Sequence, residues 1–309
     1  MKRKQIIVGA RGSLLSQAQT CQVIRRLKKK NPHYDFVFRK FATLGDRVKL
    51  WERSDTGIFV KELEDGLISG AIDLAVHSVK DLPSKIPAKL RVAAFTQRED
   101  PRDILITRRK NKGLLGLDGG AIVGTTSLRR KAQILRLRPD LKVNDLRGNL
   151  DTRIRKLESG HYDAIVVAAA GIKRLRIRNL NAGPIPVSLM LPPPGQGALG
   201  IEVRRTDSRI AGLAGKLDDR KTRICVECER AFLARTKAGC RMPVAAFSRI
   251  KESKLLLEAL IISLDGRRAV RMSAQGKIGE GSSLGRKLAV RILNSGGNDI
   301  LREIENGSS

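Results

Sequence analysis

The sequence predicts an α/β protein of two doubly wound domains followed by a small C-terminal α+β domain on an antiparallel sheet. Three observations predict it. Strand-like and helix-like segments alternate twice along the first two thirds of the chain, as in layered α/β units. Two short apolar strands, 71–76 and 164–169, are each preceded by a helical pattern ending in Gly, at Gly70 and Gly160. The last third abandons the alternation for three consecutive strand-like runs. At 309 residues the chain exceeds one typical domain. The expected division is 1–98 with 199–216, then 102–192, then 220–309.

Taken in order, residues 6–10 form a strand, Arg11-Gly12-Ser13 a turn, and 14–30 a helix that Ser13 can cap. Apolar spacing turns Leu14, Ala18, Cys21, Ile24 and Leu27 of that helix inward. Residues 36–41 alternate like a strand, and 47–56 read as a polar, irregular loop. The run GIFVKELEDGLISGAIDLAVHSVKDLP, starting at Gly57, organises the first domain. Phe59, Leu63 and Leu67 share a helix face, a buried strand covers 71–76, and the polar run His77–Asp81 closes at Pro83. In open α/β sheets ligands gather outside the carboxyl ends of strands, which is where this run falls. A strand at 90–95 and a turn at 98–103 follow.

The second unit repeats the character: strands at 104–107 and 121–123, a helix at 128–137, and a strand at 143–146. A helix opened by Arg147-Gly148-Asn149 and a buried strand at 164–169 follow. Leu191-Pro192-Pro193-Pro194-Gly195-Gln196-Gly197 reads as a crossing segment, leading into a strand at 198–203. The last third holds a helix at 222–237, strands at 244–250, 255–263 and 269–275, and a helix at 283–293.

Composition bounds the partners. Lys and Arg number 61 against 31 Asp and Glu, a net charge of +30, which calls for polyanionic company. Aromatic residues are 3%, too few to build stacking platforms for single-stranded nucleic acid. Basic residues are spread through every segment rather than gathered on one face, which counts against a nucleic-acid-binding protein. The basic start, MKRKQIIVGARG, has too short an apolar run for a signal peptide, and no stretch approaches the ~20 residues of a membrane helix. A cytoplasmic protein with reduced cysteines is expected.

Gly124-Thr125-Thr126-Ser127-Leu128-Arg129-Arg130 combines a strand end, hydroxyls at a helix N-terminus and two arginines on the first turn, all devices for holding anions. Arg147, Arg153 and Arg174 fall near element ends, as does Arg11, and together they describe a cleft suited to carboxylates. Cys225-x-x-Cys228 invites a zinc reading, but no second pair and no spaced histidines accompany it. The two thiols share one helix face, which favours core packing. Cys240 follows Ala-Gly in a tight loop before Pro243, where a thiol can be a point of covalent attachment.

In order and spacing the chain resembles the porphobilinogen deaminase (hydroxymethylbilane synthase) family over nearly its whole length. The motifs are GARGS, TLGD, GIFVKELE, DLAVHSVKDLP, REDPRD, VGTTSLRRKAQ, LRGNLDTRIRKL, YDAIVVAAAGIKRL, PPPGQGALGIE and ERAFLARTKAGC. The resemblance implies two domains like those of periplasmic binding proteins and a third that carries the cofactor. It implies a dipyrromethane cofactor held by a thioether, here on Cys240. It also implies deamination of porphobilinogen, head-to-tail coupling of four units onto that cofactor, and hydrolytic release of the linear tetrapyrrole. The family's essential aspartate falls on Asp81, whose carboxylate can stabilise the cationic azafulvene formed as ammonia leaves. Cofactor contacts fall on Ser78, Lys80, Thr125, Ser127, Arg129, Arg130 and Arg147. Substrate contacts fall on Arg11, Ser13, Phe59, Arg153, Arg174 and Gln196. No metal, no membrane and no obligatory nucleic acid are implied, and a monomer is expected.

The chain departs from the family in two places. Glu52-Arg53-Ser54-Asp55-Thr56-Gly57 replaces a glycine- and lysine-rich loop, and Ala238-Gly239-Cys240-Arg241 stands where Gly-Gly-Cys-Gln is usual. A passive two-domain clamp for an anion is the rival reading, and Asp81 with Cys240 argues against it, since a clamp needs neither.

Overall fold

The computed structural model describes residues 4–41, 60–109, 113–238 and 242–306. The strands are β1 (Lys4–Arg11), β2 (Tyr34–Phe41), β3 (Leu74–Ser78), β4 (Leu90–Phe95), β5 (Asp103–Thr107), β6 (Ile122–Gly124) and β7 (Lys142–Asn144). They continue with β8 (Ala164–Ala168), β9 (Ala182–Pro184), β10 (Leu199–Arg204), β11 (Val244–Lys251), β12 (Lys254–Ile262) and β13 (Ala269–Lys277). The helices are α1 (Leu14–Lys30), α2 (Lys61–Ile68), α3 (Leu128–Leu137), α4 (Leu150–Glu158) and α5 (Ala169–Leu175). After them come α6 (Ser208–Gly215), α7 (Arg220–Thr236), α8 (Gly281–Ile292) and α9 (Asn298–Asn306).

Two compact units emerge: residues 1–99 with 198–223, and residues 100–197 with 224–309. The first holds a five-stranded sheet in the order β2-β1-β3-β10-β4. Strand β1 pairs in parallel with β2 and β3, whereas β10 runs antiparallel to both β3 and β4. The second unit repeats this plan in the order β7-β6-β8-β5-β9, with β5 as the antiparallel strand. Each sheet is thus mixed rather than purely parallel. In both, the reversed strand is the one that begins where the chain enters the unit from the other.

Apolar side chains alternate across each sheet and meet helices on both faces. In the first unit Ile6, Val8, Leu74, Val76, Ile201 and Val203 pack with Val23 and Leu27 of α1, while Ala75 packs with Leu63 and Leu67 of α2. In the second, Val166 and Ile134 share one core, and Ile165, Val167, Ile154 and Leu157 another. The antiparallel sheet β11-β12-β13 carries its own core, built on Phe232, Leu255, Leu257, Leu288 and Ile292. Cys225 and Cys228 lie inside that core, as their shared helix face predicts.

Local signals explain several boundaries. Ser13 Oγ accepts from Ser16 N at 3.3 Å, so the helix starts where the cap was read. Gly70 takes φ 79° after α2, as a left-handed stop requires. Other boundaries differ. Strand β3 starts at Leu74 and runs through His77 and Ser78, so two residues of the polar run end the strand and Val79–Asp81 forms a single 3-10 turn. The inward face of α1 is Ser16, Gln19, Thr20, Val23 and Leu27, whereas Leu14 and Cys21 are exposed. The apolar spacing misplaces this face because its first half packs against a polar strand end rather than against the core. Helices α5, α6 and α9 and strand β9 go beyond the elements expected from the sequence.

Candidate functional site

In the first unit the carboxyl ends of β1 and β3 bring together motifs far apart in sequence. Arg11 ends β1, Ser13 caps α1, Ser78 ends β3, and Lys80 and Asp81 occupy the 3-10 turn that follows. A small cavity of about 60 Å³ is lined by Arg11, Ser13, Ser16, Gln19, Ser78 and Asp81 among others. Gln19 Nε2 donates to Ser78 Oγ at 3.0 Å, fixing the hydroxyl from the side of α1. Val79 N donates to Ala198 O at 3.1 Å, which ties the turn to the strand that re-enters this unit. Asp81 itself is exposed, as a carboxylate that meets a ligand must be. Ser16 and Gln19 were missed from sequence; their signal is three polar residues, with Thr20, on the inward stripe of an otherwise amphipathic helix.

In the second unit the arginine pair is buried. Arg129 Nη2 donates to Asp103 Oδ2 at 2.8 Å, and Arg130 Nε and Nη2 donate to Asp103 Oδ1 at 3.1 and 2.7 Å. Carbonyls take further donors: Leu191 O from Arg129 Nη1 at 2.8 Å and Val166 O from Arg130 Nη1 at 3.0 Å. Gln196, fully buried, donates from Nε2 to Pro101 O at 2.8 Å and to Asp103 Oδ1 at 2.9 Å. Burial alone would raise the Asp103 carboxyl. The charges of Arg129 and Arg130, with hydrogen bonds from Arg130 and Gln196, overturn that and hold it well below the usual carboxylate range. Asp103, read from sequence only as part of a turn, is therefore the hub on which three predicted site residues converge.

The remaining predicted residues of this unit lie at element ends. Thr125 Oγ1 accepts from Ser127 N at 3.2 Å, ordering the entry to α3. Arg147 is exposed in the loop before α4, 3.8 Å from Asp145. Arg153 Nε donates to Gly148 O at 2.8 Å, and Arg174 Nη2 to Gly197 O at 2.6 Å. Burial and then the charge of Arg130 push the Arg153 guanidinium down to about 10. A cation held near a second cation relaxes when an anionic ligand arrives, so this region suits a carboxylate-rich group such as dipyrromethane. Phe59, Cys240 and the loop 47–56 lie outside the described residues.

These arrangements define a mixed α/β protein whose strand ends gather arginines, hydroxyls and one exposed carboxylate, Asp81. Residues 6–212 match the model described as porphobilinogen deaminase, dipyromethane cofactor binding domain, and residues 223–294 match the C-terminal domain of the same family. The porphobilinogen deaminase of Desulforudis audaxviator is 44% identical over 309 residues, covering 99% of this chain and 100% of that relative. That of Thermus thermophilus is 44% identical over 300 residues, covering 97% and 99%. The chain belongs to the porphobilinogen deaminase family. Among solved structures, the effector binding domain of BenM with benzoate matches at a TM-score of 0.44 and 16% identity, covering 70% of this chain and 91% of that one, too slight a likeness to argue from.

Proposed function

We propose that this chain deaminates porphobilinogen and joins four units head to tail on a dipyrromethane bound through a thioether to Cys240, then releases hydroxymethylbilane by hydrolysis. The observation that carries the reading is the cavity at the ends of β1 and β3, which gathers Arg11, Ser13, Ser78 and Asp81 from two separate family motifs. Asp81 is the catalytic group. Its carboxylate accepts hydrogen bonds from pyrrole N–H groups and stabilises the positive charge that develops as ammonia departs. Ser78 and Lys80 flank it and hold acidic side chains of the bound pyrroles.

When bound, the dipyrromethane supplies the pyrrole α-carbon on which the chain grows. Thr125, Ser127, Arg129, Arg130 and Arg147 would hold its carboxylates. Arg11, Ser13, Phe59, Arg153, Arg174 and Gln196 serve the incoming substrate. Each pyrrole brings two carboxylates, so a growing chain needs this density of fork-shaped donors. The proposed domain limits remain 1–98 with 199–216, 102–192 and 220–309, with Cys240 in the third. A cytoplasmic monomer is part of this proposal; among the described residues no helix is long and apolar enough to cross a membrane.

Intact mass of the purified protein tests the reading. An adduct of dipyrromethane mass should be present and absent from Cys240→Ala. Asp81→Asn should keep the adduct and lose about 10²-fold or more in turnover. Active protein of unmodified mass, or near-normal turnover by Asp81→Asn, would overturn it.

A further inference from the structure

Beneath the Asp81 cavity lies a cluster of ionisable groups to which the chemistry above gives no role. His77 Nε2 sits 3.0 Å from Glu202 Oε2, with side chains 3% and 0% exposed. The sheet register makes room for the pair. Glu202 stands opposite Ala75, and His77 opposite Gly200, so small partners leave the space their side chains fill on one face. The turn of Asp81 closes over the same place: a Cβ on Gly200 would meet Leu82 Cδ1 at 3.2 Å and Val79 Cγ2 at 3.5 Å. Helix α2 covers the face that Ala75, His77 and Glu202 share, since its Leu63 and Leu67 pack on Ala75. Glu64 follows Leu63 on that helix, and its Oε1 is buried. Among the described residues no hydrogen-bond donor reaches Oε1 of Glu64 or of Glu202.

We propose that Glu64, with the His77–Glu202 pair, supplies a second negative charge beneath the Asp81 cavity that strengthens stabilisation of the cation formed during deamination. The proposal rests on the reading of Asp81 given above. These are not catalytic residues, since they act through the field and touch no substrate. Burial first, then the charge of Glu202, push the Glu64 carboxyl up to about 7, while His77 pulls it down and Asp65 adds to the rise. Of the other charges on the packed elements, Arg11 of β1 lines the cavity together with His77 and Asp81. Lys61 is exposed, Arg91 alternates to the opposite face of β4, and Arg204 is engaged with Asp73, Asp207 and the carbonyls of Leu67 and Ile72.

Two observables then move in opposite directions. As pH rises through about 7, Glu64 ionises and the developing cation gains support, so kcat rises. Because the folded value exceeds the ordinary value of 4.5, the stability contributed by neutral Glu64 is full below 4.5 and lost as pH rises through about 7. Melting temperature should therefore fall from pH 4.5 to about 7 and level off above it, while kcat goes on climbing through about 7.

The test compares kcat, KM and melting temperature from pH 5.5 to 8.5, about, for the cofactor-loaded protein and its Glu64→Gln and His77→Gln variants. Glu64→Gln should flatten both profiles, lowering kcat at the alkaline end about fivefold, as expected for a unit charge some way from the reacting atoms, with KM unchanged. His77→Gln removes the group that opposes the rise of Glu64, so its kcat profile should shift to higher pH; if that variant does not fold, Glu64→Gln alone decides. A kcat profile in Glu64→Gln that superimposes on that of the parent would overturn the proposal, whether or not stability changes. Failure of the Asp81 reading shows separately, as retained turnover in Asp81→Asn.

Discussion

Arg130 holds Asp103 through two nitrogens on the same oxygen, Nε at 3.1 Å and Nη2 at 2.7 Å, while Arg129 takes the other oxygen. Asp103 is fully buried, so the pair of cations has no water to fall back on. Removing one member of such a buried cluster typically costs about 3–5 kcal/mol, because the partners stay behind uncompensated. Asp103→Ala should lose that much in denaturant unfolding, and Asp103→Asn less. The sign with pH follows from the lowered carboxyl. The contribution is present above the ordinary value of 3.8 and lost only as pH falls through the lower folded one. The stability deficit of Asp103→Asn should accordingly stay constant down to about pH 5 and shrink in stronger acid. A deficit that varies across neutral pH would contradict this account.

The thiols make a second prediction. Burial first, then the neighbouring Glu229 and Cys225, push the Cys228 thiol up to about 12. Together with Cys225 it lies in the apolar core of the antiparallel sheet, whereas Cys21 is exposed on α1. Brief alkylation of the native protein should label Cys21 and spare Cys225 and Cys228, as read by peptide mass spectrometry. Rapid labelling of Cys228 would mean that α7 opens from its sheet.

Much of this arrangement is legible in the chain, and what is not has a physical reason. Helix α1 is bounded as read, because a capping serine and a lysine run mark its two ends. Its buried face is misread because Ser16, Gln19 and Thr20 pack toward the cavity, where polarity is needed inside. The parallel pairings around β1 and β6 follow from alternation, but the reversed β5 and β10 depend on where the chain passes between units, which periodicity does not encode. Arg11, Ser13, Ser78 and Asp81 are found by their motifs. Glu202 and Asp103 are not, since each gains its meaning from a partner that only folding brings near: His77 for one, Arg129 and Arg130 for the other.

The last prediction concerns Glu229, a fully buried carboxylate on α7. Its Oε2 accepts from Gly195 N at 2.7 Å, and its Oε1 accepts from Ser248 N at 2.7 Å and Ser248 Oγ at 3.1 Å. One side chain thereby joins α7, the strand β11 and the crossing segment. Gly195 is followed by Gln196, which donates to Asp103, so the chain of hydrogen bonds runs from β11 to the arginine pair. Glu229→Ala strands two buried backbone donors, each costing about 1–3 kcal/mol. Glu229→Gln keeps the size but turns one acceptor oxygen into a donor that faces another donor, so it should recover only part of the loss. The effect should also travel: with Gly195 released, Gln196 loses its support, and turnover should fall more than the melting temperature alone accounts for. Denaturant unfolding and turnover measured on both variants, at a temperature well below either transition, separate the two effects. Turnover in Glu229→Gln equal to that of the parent, despite lower stability, would show that the crossing segment holds Gln196 in place without Glu229.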